Sequence, residues 1–295
     1  MTKKEAPRRL LSLAIAIPTS FIDVYSSKAQ KTQQIGRIAR ASAIFQVDEI
    51  LLFKDKENQK QAKNLRFISR VLEYIETPQY LRKHLFAKLP ELQYVGLLPP
   101  LRTPHHPLVK KASQLKQGEM REGVVFQHRG KLMVDVGVES PLPLVKSNLT
   151  KFPKRITVQI TRTKTGNLIA TQSSPPRFQQ YWGFNVRCLD LPLGKFLQEN
   201  HEYKYVIATS RKGKPVEELS REIGVKWQNH KRLLLIFGSY DEGLSEILQR
   251  EQIDVAKVVD CSVNLVRNQG TATIRTEEAV QIGLTVFRYL ESTYV

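Results

Sequence analysis

An α/β protein whose parallel sheet is interrupted by a small β-barrel is the fold class this sequence predicts. Three observations carry the prediction. Short apolar runs alternate with helical segments near both ends of the chain. The hydrophobic period drops to two in the middle, and proline-rich stretches flank that middle. The 295 residues are therefore expected to divide into 1–104, 105–176 and 177–295, the outer two forming one domain around an inserted barrel.

Leu10–Ile17 reads as a buried strand ended by Pro18-Thr19-Ser20. A helix over 27–45 follows, with Ile35, Ile38, Ser42 and Phe45 three or four residues apart, and then a second strand, Val47–Phe53. The helix expected over 58–75 places Ala62, Leu65, Ile68, Leu72 and Ile75 on one face. Thr77-Pro78 opens another helix, threonine as cap and proline at the first helical position. Leu101–Pro107 is a linker.

Alternation then takes over. Leu132, Val134, Val136 and Val138 alternate with Met133, Asp135 and Gly137, and Ile156, Val158 and Ile160 with Thr157, Gln159 and Thr161. Turn signals fall at His128–Lys131 and Thr165–Asn167. Short strands between Leu115 and Ser174 suit a small barrel of OB-like type. From Tyr181 the α/β rhythm returns, with strands at Tyr205–Ala208, Leu233–Phe237 and Val255–Asp260. Helices are expected at Pro215–Ile223, Leu244–Glu251 and Thr276–Leu290, the last capped by Thr276 with Glu277 and Glu278 suiting its dipole.

Charge narrows the partner. Lys plus Arg number 46 against 28 Asp plus Glu, a net +18 that favours a polyanion, and nucleic acid over a membrane surface. No apolar run approaches the roughly 20 residues of a membrane span. Lys3, Lys4, Arg8 and Arg9 before Leu10–Ile17 imitate a signal peptide, but the run leads straight into helical sequence and reads better as a strand. Cys188 and Cys261 lack metal-site spacing, so no metal is expected and a reducing interior is: cytoplasmic, or nuclear or nucleolar in a eukaryote.

Three constellations carry chemistry. LLLIFGSYDEGL, Leu233–Leu244, is a strand, a glycine turn and a helix. Leu244 stands where a phosphate loop needs lysine, and Asp241 and Glu242 would repel a triphosphate, so an ATP-hydrolysing reading fails and a cationic or neutral ligand fits better. A plain tight turn explains the same glycines. Ser262–Ala279 is a polar loop with donors and acceptors for a purine and ribose, though ordinary loops share that composition. Gln33, Arg37 and Arg40 share one helix face, able to grip phosphate or remain a solvated surface.

Gln34-Ile35-Gly36-Arg37-Ile38-Ala39-Arg40 resembles the N-x-G-x-x-x-R segment of SPOUT (α/β-knot) RNA methyltransferases, with glutamine for asparagine. Ile236-Phe237-Gly238 through Gly243-Leu244 is similar to their second motif. Asn264, Gln269-Gly270-Thr271 and Thr273–Ala279 resemble the third, in the form of an archaeal and eukaryotic subfamily with an OB-like insertion. The resemblance implies a C-terminal trefoil knot, an exception to unknotted chain topology. It implies S-adenosyl-L-methionine as cofactor, bound by Thr209, Ser210, Arg211, Gly238, Gly243, Asn264, Gln269, Gly270 and Ile274. It also implies a homodimer, ribosomal RNA ahead of transfer RNA as substrate, and uridine N3 as the lead acceptor. Arg40 is the residue it offers for a direct chemical role.

RNA contacts are expected from Arg37 and Arg40, and from Lys151, Lys154, Arg155, Arg162 and Lys164 around one barrel hairpin. His84, His105, His106, His128, His201 and His230 are scattered and supply no evident base; the pair His105-His106 is expected to contact RNA from the linker. The rival function is a non-catalytic RNA-binding or ribosome-assembly factor that keeps the knot.

Overall fold

Strands covered on both faces need continuous apolar runs, and SLAIAIP and EILLF supply them in the computed structural model. The structure describes residues 8, 9, 11–56, 58–145, 147, 149–177 and 179–295, so Lys3, Lys4 and Leu10 lie outside the described residues. The chain forms two compact units. One, the sheet unit, holds Arg9–Glu73, Tyr94–Pro99 and Phe184–Val295; the other, the barrel unit, is built on Tyr74–Gln93 and Pro100–Gly183.

Strand β1 (Ser12–Pro18) leads to helix α1 (Lys28–Ile44). Ser27 caps that helix reciprocally: its Oγ accepts from the Gln30 N–H at 3.2 Å and its own N–H donates to Gln30 Oε1 at 3.3 Å. Strand β2 (Glu49–Phe53) pairs with β1 in parallel, Ile15 opposite Ile50. Helix α2 (Gln59–Glu76) buries Phe67, Ile68, Val71, Leu72 and Ile75. Its first turn departs from the expected apolar face. Ala62 is exposed, and the buried residues there are Gln61, paired with Thr19, and Asn64, whose Nδ2 donates to the Thr19 carbonyl at 3.1 Å. These polar groups satisfy the turn that ends β1, which apolar side chains cannot do.

In the barrel unit, helix α3 (Gln79–Leu85) has Pro78 itself in the cap position, one residue later than expected, and Thr77 does not cap it. Strands β3 (Met120–His128), β4 (Lys131–Asp135), β5 (Leu142–Val145), β6 (Lys154–Arg162) and β7 (Leu168–Ser173) close into a barrel in the order β3-β4-β5-β7-β6. Only β5 and β7 pair in parallel. Val125, Val134, Val136, Val158, Ile160 and Ala170 fill the interior with no exposed surface, as period-two alternation requires. Arg129 and Gly130 both take positive φ in the β3–β4 turn, the conformation a two-residue hairpin needs.

A buried polar cluster braces this unit. Arg155 Nε donates to Glu122 Oε2 and its Nη1 to Glu76 Oε2, each at 2.7 Å. Glu122 also accepts from Thr157 Oγ1 at 2.5 Å and Trp182 Nε1 at 2.6 Å, while His105 Nε2 lies 3.0 Å from Glu76 Oε1. Burial works to raise the Glu76 pKa, but the Arg155 charge and the hydrogen bond and charge of His105 outweigh it and bring it down to about 2. A carboxyl held below its unfolded value stabilises the fold above the ordinary carboxyl range and loses that contribution as pH falls towards 2. Urea titrations of the wild type should therefore show the barrel transition weakening between about pH 5 and pH 2 by on the order of 3 kcal/mol. In Glu76→Gln that acid dependence should be largely flattened.

The sheet resumes with β8 (Asn185–Cys188), an edge strand that the sequence reading leaves out, and helix α4 (Leu193–Glu199). Strand β9 (Tyr205–Pro215), helix α5 (Val216–His230), strand β10 (Arg232–Ile236) and helix α6 (Leu244–Arg250) follow. The strand expected at Val255–Asp260 is not one. Val255–Lys257 is a short 3-10 turn whose valine packs on the apolar cluster of Leu244, Ile247 and Leu248, and strand β11 is the more polar Cys261–Asn264. In helix α7 (Thr276–Tyr294) the cap position belongs to Arg275, and Thr276 instead donates to the Gly238 carbonyl at 3.0 Å.

The complete sheet runs β11-β9-β10-β1-β2-β8, every neighbouring pair parallel. All carboxyl ends therefore lie on one side, where the connecting loops gather. Arg9, read from sequence as part of a decoy signal, is buried in an ion pair with Glu291 at 2.9 Å. Among the described residues no helix is long and apolar enough to cross a membrane.

Candidate functional site

Three loops at the carboxyl edge of the sheet converge. Thr209–Lys212 at the bend of β9, Gly238–Gly243 after β10, and residues between Asn264 and Ala279 after β11 line a cleft of about 270 Å³. Of the nine sequence-predicted cofactor residues, Thr209, Ser210, Arg211, Gly238, Gly243, Asn264, Gln269 and Ile274 line it. Gly270 does not; it is exposed in the third loop with open space around it.

The side chains of these loops mostly fasten one loop to another. Asn264 Nδ2 donates to the Arg211 carbonyl at 3.0 Å, and Asn264 Oδ1 accepts from the Val266 N–H at 3.0 Å. Arg211 Nη1 donates to the Ala272 carbonyl at 2.7 Å, and Gln269 Nε2 to the Thr271 carbonyl at 2.8 Å. Thr276 joins α7 to the second loop through Gly238, a contact absent from the predicted set although Thr276 lies within the third motif. The turn itself needs Gly238: a Cβ there would lie 2.8 Å from the Glu242 carbonyl oxygen.

Acidic groups ring the same cleft. Asp241 pairs with Lys56 at 2.7 Å, Glu242 with Arg250 at 2.6 Å and Glu246 with Lys212 at 3.2 Å. Burial acts to raise the Asp241 pKa, but hydrogen bonds from Lys56 and Ser239 bring it below the usual carboxylate range. Glu242 Oε2 is buried without a hydrogen-bond partner among the described residues. Leu244 is buried, and no lysine takes its place for a triphosphate.

Arg37 and Arg40 are exposed on α1, beside a separate groove of about 360 Å³ that also includes Gln33, Leu97, Leu98 and Gln281. None of the eight cleft residues named above lines that groove. On the barrel, Lys151, Lys154, Arg162 and Lys164 are exposed. Arg155 departs from that set: it is half-buried and its guanidinium is already paired with Glu76 and Glu122. The expected RNA contact by His105 fails for a related reason, since its ring is fully buried against the Glu76 carboxylate and near Trp182. Sequence spacing gave that histidine no carboxylate; folding brings one from 29 residues away. Among the described residues no group of three or more His, Cys, Asp or Glu side chains could hold a metal ion.

A parallel sheet with a cleft of loops at its carboxyl edge suits a small ligand, and a barrel with exposed lysines suits a polyanion. The family described as "Putative RNA methyltransferase" matches residues 12–287, and the chain belongs to it. It is 31% identical to a 28S rRNA (uridine-N(3))-methyltransferase of Homo sapiens, over 96% of this chain and 79% of the human protein. The mouse protein of the same name is also 31% identical, over 94% of this chain and 76% of its own length. The Drosophila melanogaster protein of that name is 29% identical over 92% of this chain and 61% of its own length.

Proposed function

We propose that this chain is an S-adenosylmethionine-dependent methyltransferase of the SPOUT type that methylates N3 of a uridine in large-subunit ribosomal RNA. The observation that carries the reading is the convergence on one cleft of eight residues from the carboxyl half of β9 and from the two loops after β10 and β11. The names of the relatives supply the acceptor. S-Adenosylmethionine, when bound, supplies an electrophilic methyl group on a sulfonium. Fit to that group rests on the small polar residues and glycines that line the cleft, among them Thr209, Ser210, Gly238, Gly243 and Asn264.

In this reading the loop from Asn264 to Thr276 forms the C-terminal trefoil knot, and a homodimer completes each site. The exposed Arg37 and Arg40 of one protomer hold the target nucleotide against the other's cleft, Arg40 acting at the acceptor. Positioning of acceptor and donor then contributes much of the rate, roughly 7 kcal/mol or more. The barrel, in residues 105–176, serves as an OB-like RNA-binding module; its strand order and single parallel pair are consistent with that. A nuclear or nucleolar location suits such a substrate in a eukaryote, and the cytoplasm in a prokaryote.

Calorimetric titration with S-adenosylmethionine, followed by transfer of labelled methyl to ribosomal RNA from cells lacking the protein, tests the reading. Saturable binding and methyl uptake at a uridine are expected. Cofactor binding with no transfer to any RNA fraction would favour a non-catalytic assembly factor. For the barrel, Lys151→Glu with Lys154→Glu should weaken RNA binding and reduce the slope of log affinity against log salt by roughly 1.5. An unaltered slope would remove this hairpin from the RNA path.

A further inference from the structure

The barrel unit contains a cavity of about 770 Å³ that the proposed methyl-transfer site does not use. Its walls come from α3, the 100–110 segment and the residues following β4. Lys83, Arg102 and Lys110 stand around it, all three exposed. Among the described residues none of these three side chains makes a hydrogen bond or ion pair. The carboxylates on the same wall are already engaged. Asp135 lies 2.9 Å from His84 Nε2 and accepts from the Gly137 N–H at 2.9 Å, and Glu139 accepts from the Ala112 N–H at 2.8 Å. Three cations, Lys83, Arg102 and Lys110, against two carboxylates, Asp135 and Glu139, leave the wall with a net positive charge, which favours an anionic ligand.

Its remaining groups narrow the class of anion. Tyr80 is fixed on the wall, its hydroxyl donating to the Glu122 carbonyl at 2.7 Å and its ring packed on Gly137, where a Cβ would lie 2.6 Å from the ring. His106 Nε2 lies 2.6 Å from the Glu76 carbonyl, which can only accept, so Nε2 carries the proton and Nδ1 is an acceptor. That Nδ1 is buried with no partner among the described residues. Burial, reinforced by the charge of His105, holds the His106 ring at a pKa of about 3, so it stays neutral at pH 7. Leu108, 76% exposed, adds an apolar contact at the rim. Phosphate donors, an aromatic wall and an apolar edge are the chemistry of a nucleotide. The volume falls within the roughly 300–1,000 Å³ of small-ligand sites.

We propose that this cavity is a nucleotide-binding site for single-stranded RNA, distinct from the β6–β7 hairpin, in which Lys83, Arg102 and Lys110 take phosphates. It rests on the reading of the chain as an RNA-modifying enzyme. Its role is to hold a segment of substrate next to the one being methylated, so that a nucleotide flanking the target contributes to choice of site.

Fluorescence anisotropy of the full chain with a labelled oligouridylate of about twelve nucleotides, repeated across salt concentrations, tests it. Lys83→Gln, Arg102→Gln and Lys110→Gln combined should lower affinity about tenfold or more at 0.1 M salt and reduce the salt slope by roughly 2. These side chains have no partners to lose, so the thermal midpoint should hold. Lys110→Gln alone, with a slope reduction of roughly 0.7, covers the case in which the triple variant folds poorly. Unaltered affinity and slope in the triple variant, with wild type binding RNA, would overturn the site and leave the methyltransferase reading standing. Failure of the wild type to bind any RNA would overturn both. If the triple variant instead loses a labelled phosphoserine peptide while RNA binding is untouched, the cavity serves a protein and the RNA assignment falls.

Discussion

Replacing Arg155 with alanine is expected to destabilise the barrel unit by roughly 3–5 kcal/mol, the range for removing one partner of a buried ion pair. The guanidinium serves two carboxylates at once, 2.7 Å from each, and both carboxylates are buried. Without it Glu76 keeps His105 Nε2 as its partner, and Glu122 keeps the neutral donors Thr157 and Trp182. Both then face desolvation with little compensation and shift towards protonation. Lysine at 155 should recover less than half of the loss, because one ammonium cannot span two carboxylates as a planar fork does. Lys154→Ala, one residue away and exposed, should stay within about 0.5 kcal/mol of wild type. Urea unfolding followed through Trp182, whose Nε1 donates to Glu122, reads the difference directly. Equal effects at 154 and 155 would show that the cluster does not brace the barrel.

That contrast marks where the sequence stops being legible. Lys154 and Arg155 are adjacent basic residues in one strand, and a reading by charge treats them alike. Their fates are set by strand alternation and by Glu76, which arrives from the end of α2 and is far away in sequence. The large elements were readable because β1, β2 and β10 are continuous apolar runs and α1 carries a three-four period. The missed and misplaced ones break that code. Strand β8 is NVRC at a sheet edge, and β11 is CSVN, both more polar than the Val255–Val259 stretch that merely packs on α6. Strand β9 extends through SRKGKP, where no apolar residue announces it. The cleft was legible through resemblance to a family's motifs, since nothing in the spacing of Thr209, Gly238 and Asn264 brings three loops together. The cavity of Lys83, Arg102 and Lys110 had no such guide, and its residues look like scattered surface charge.

Gly213→Val is expected to lower affinity for S-adenosylmethionine by more than tenfold although residue 213 is not among the residues lining the cleft. A Cβ at Gly213 would lie 2.7 Å from both the carbonyl oxygen of Ser262 and the carbonyl carbon of Val263. Backbone cannot swing aside as a side-chain tip can, so β11 must move off β9. The pairing is already irregular there: the register shifts between Ser262 and Val263, after which Asn264 meets Pro215. Asn264 is the next residue along, and its side chain ties the third loop to Arg211. Displacing the strand therefore opens the cleft from behind, with a cost in stability of roughly 1–3 kcal/mol for the forced backbone shift. Gly270→Ala gives the opposite expectation: no atom lies within 4 Å of a Cβ added there, and the residue does not line the cleft, so affinity should stay within about twofold. Calorimetric titration of the two variants beside wild type separates a cleft formed by the β9–β11 junction from a site placed by motif alone. Loss of binding at 270 with retention at 213 would mean that the cofactor is held by the exposed turn of the third loop, and the cleft would have to be reassigned.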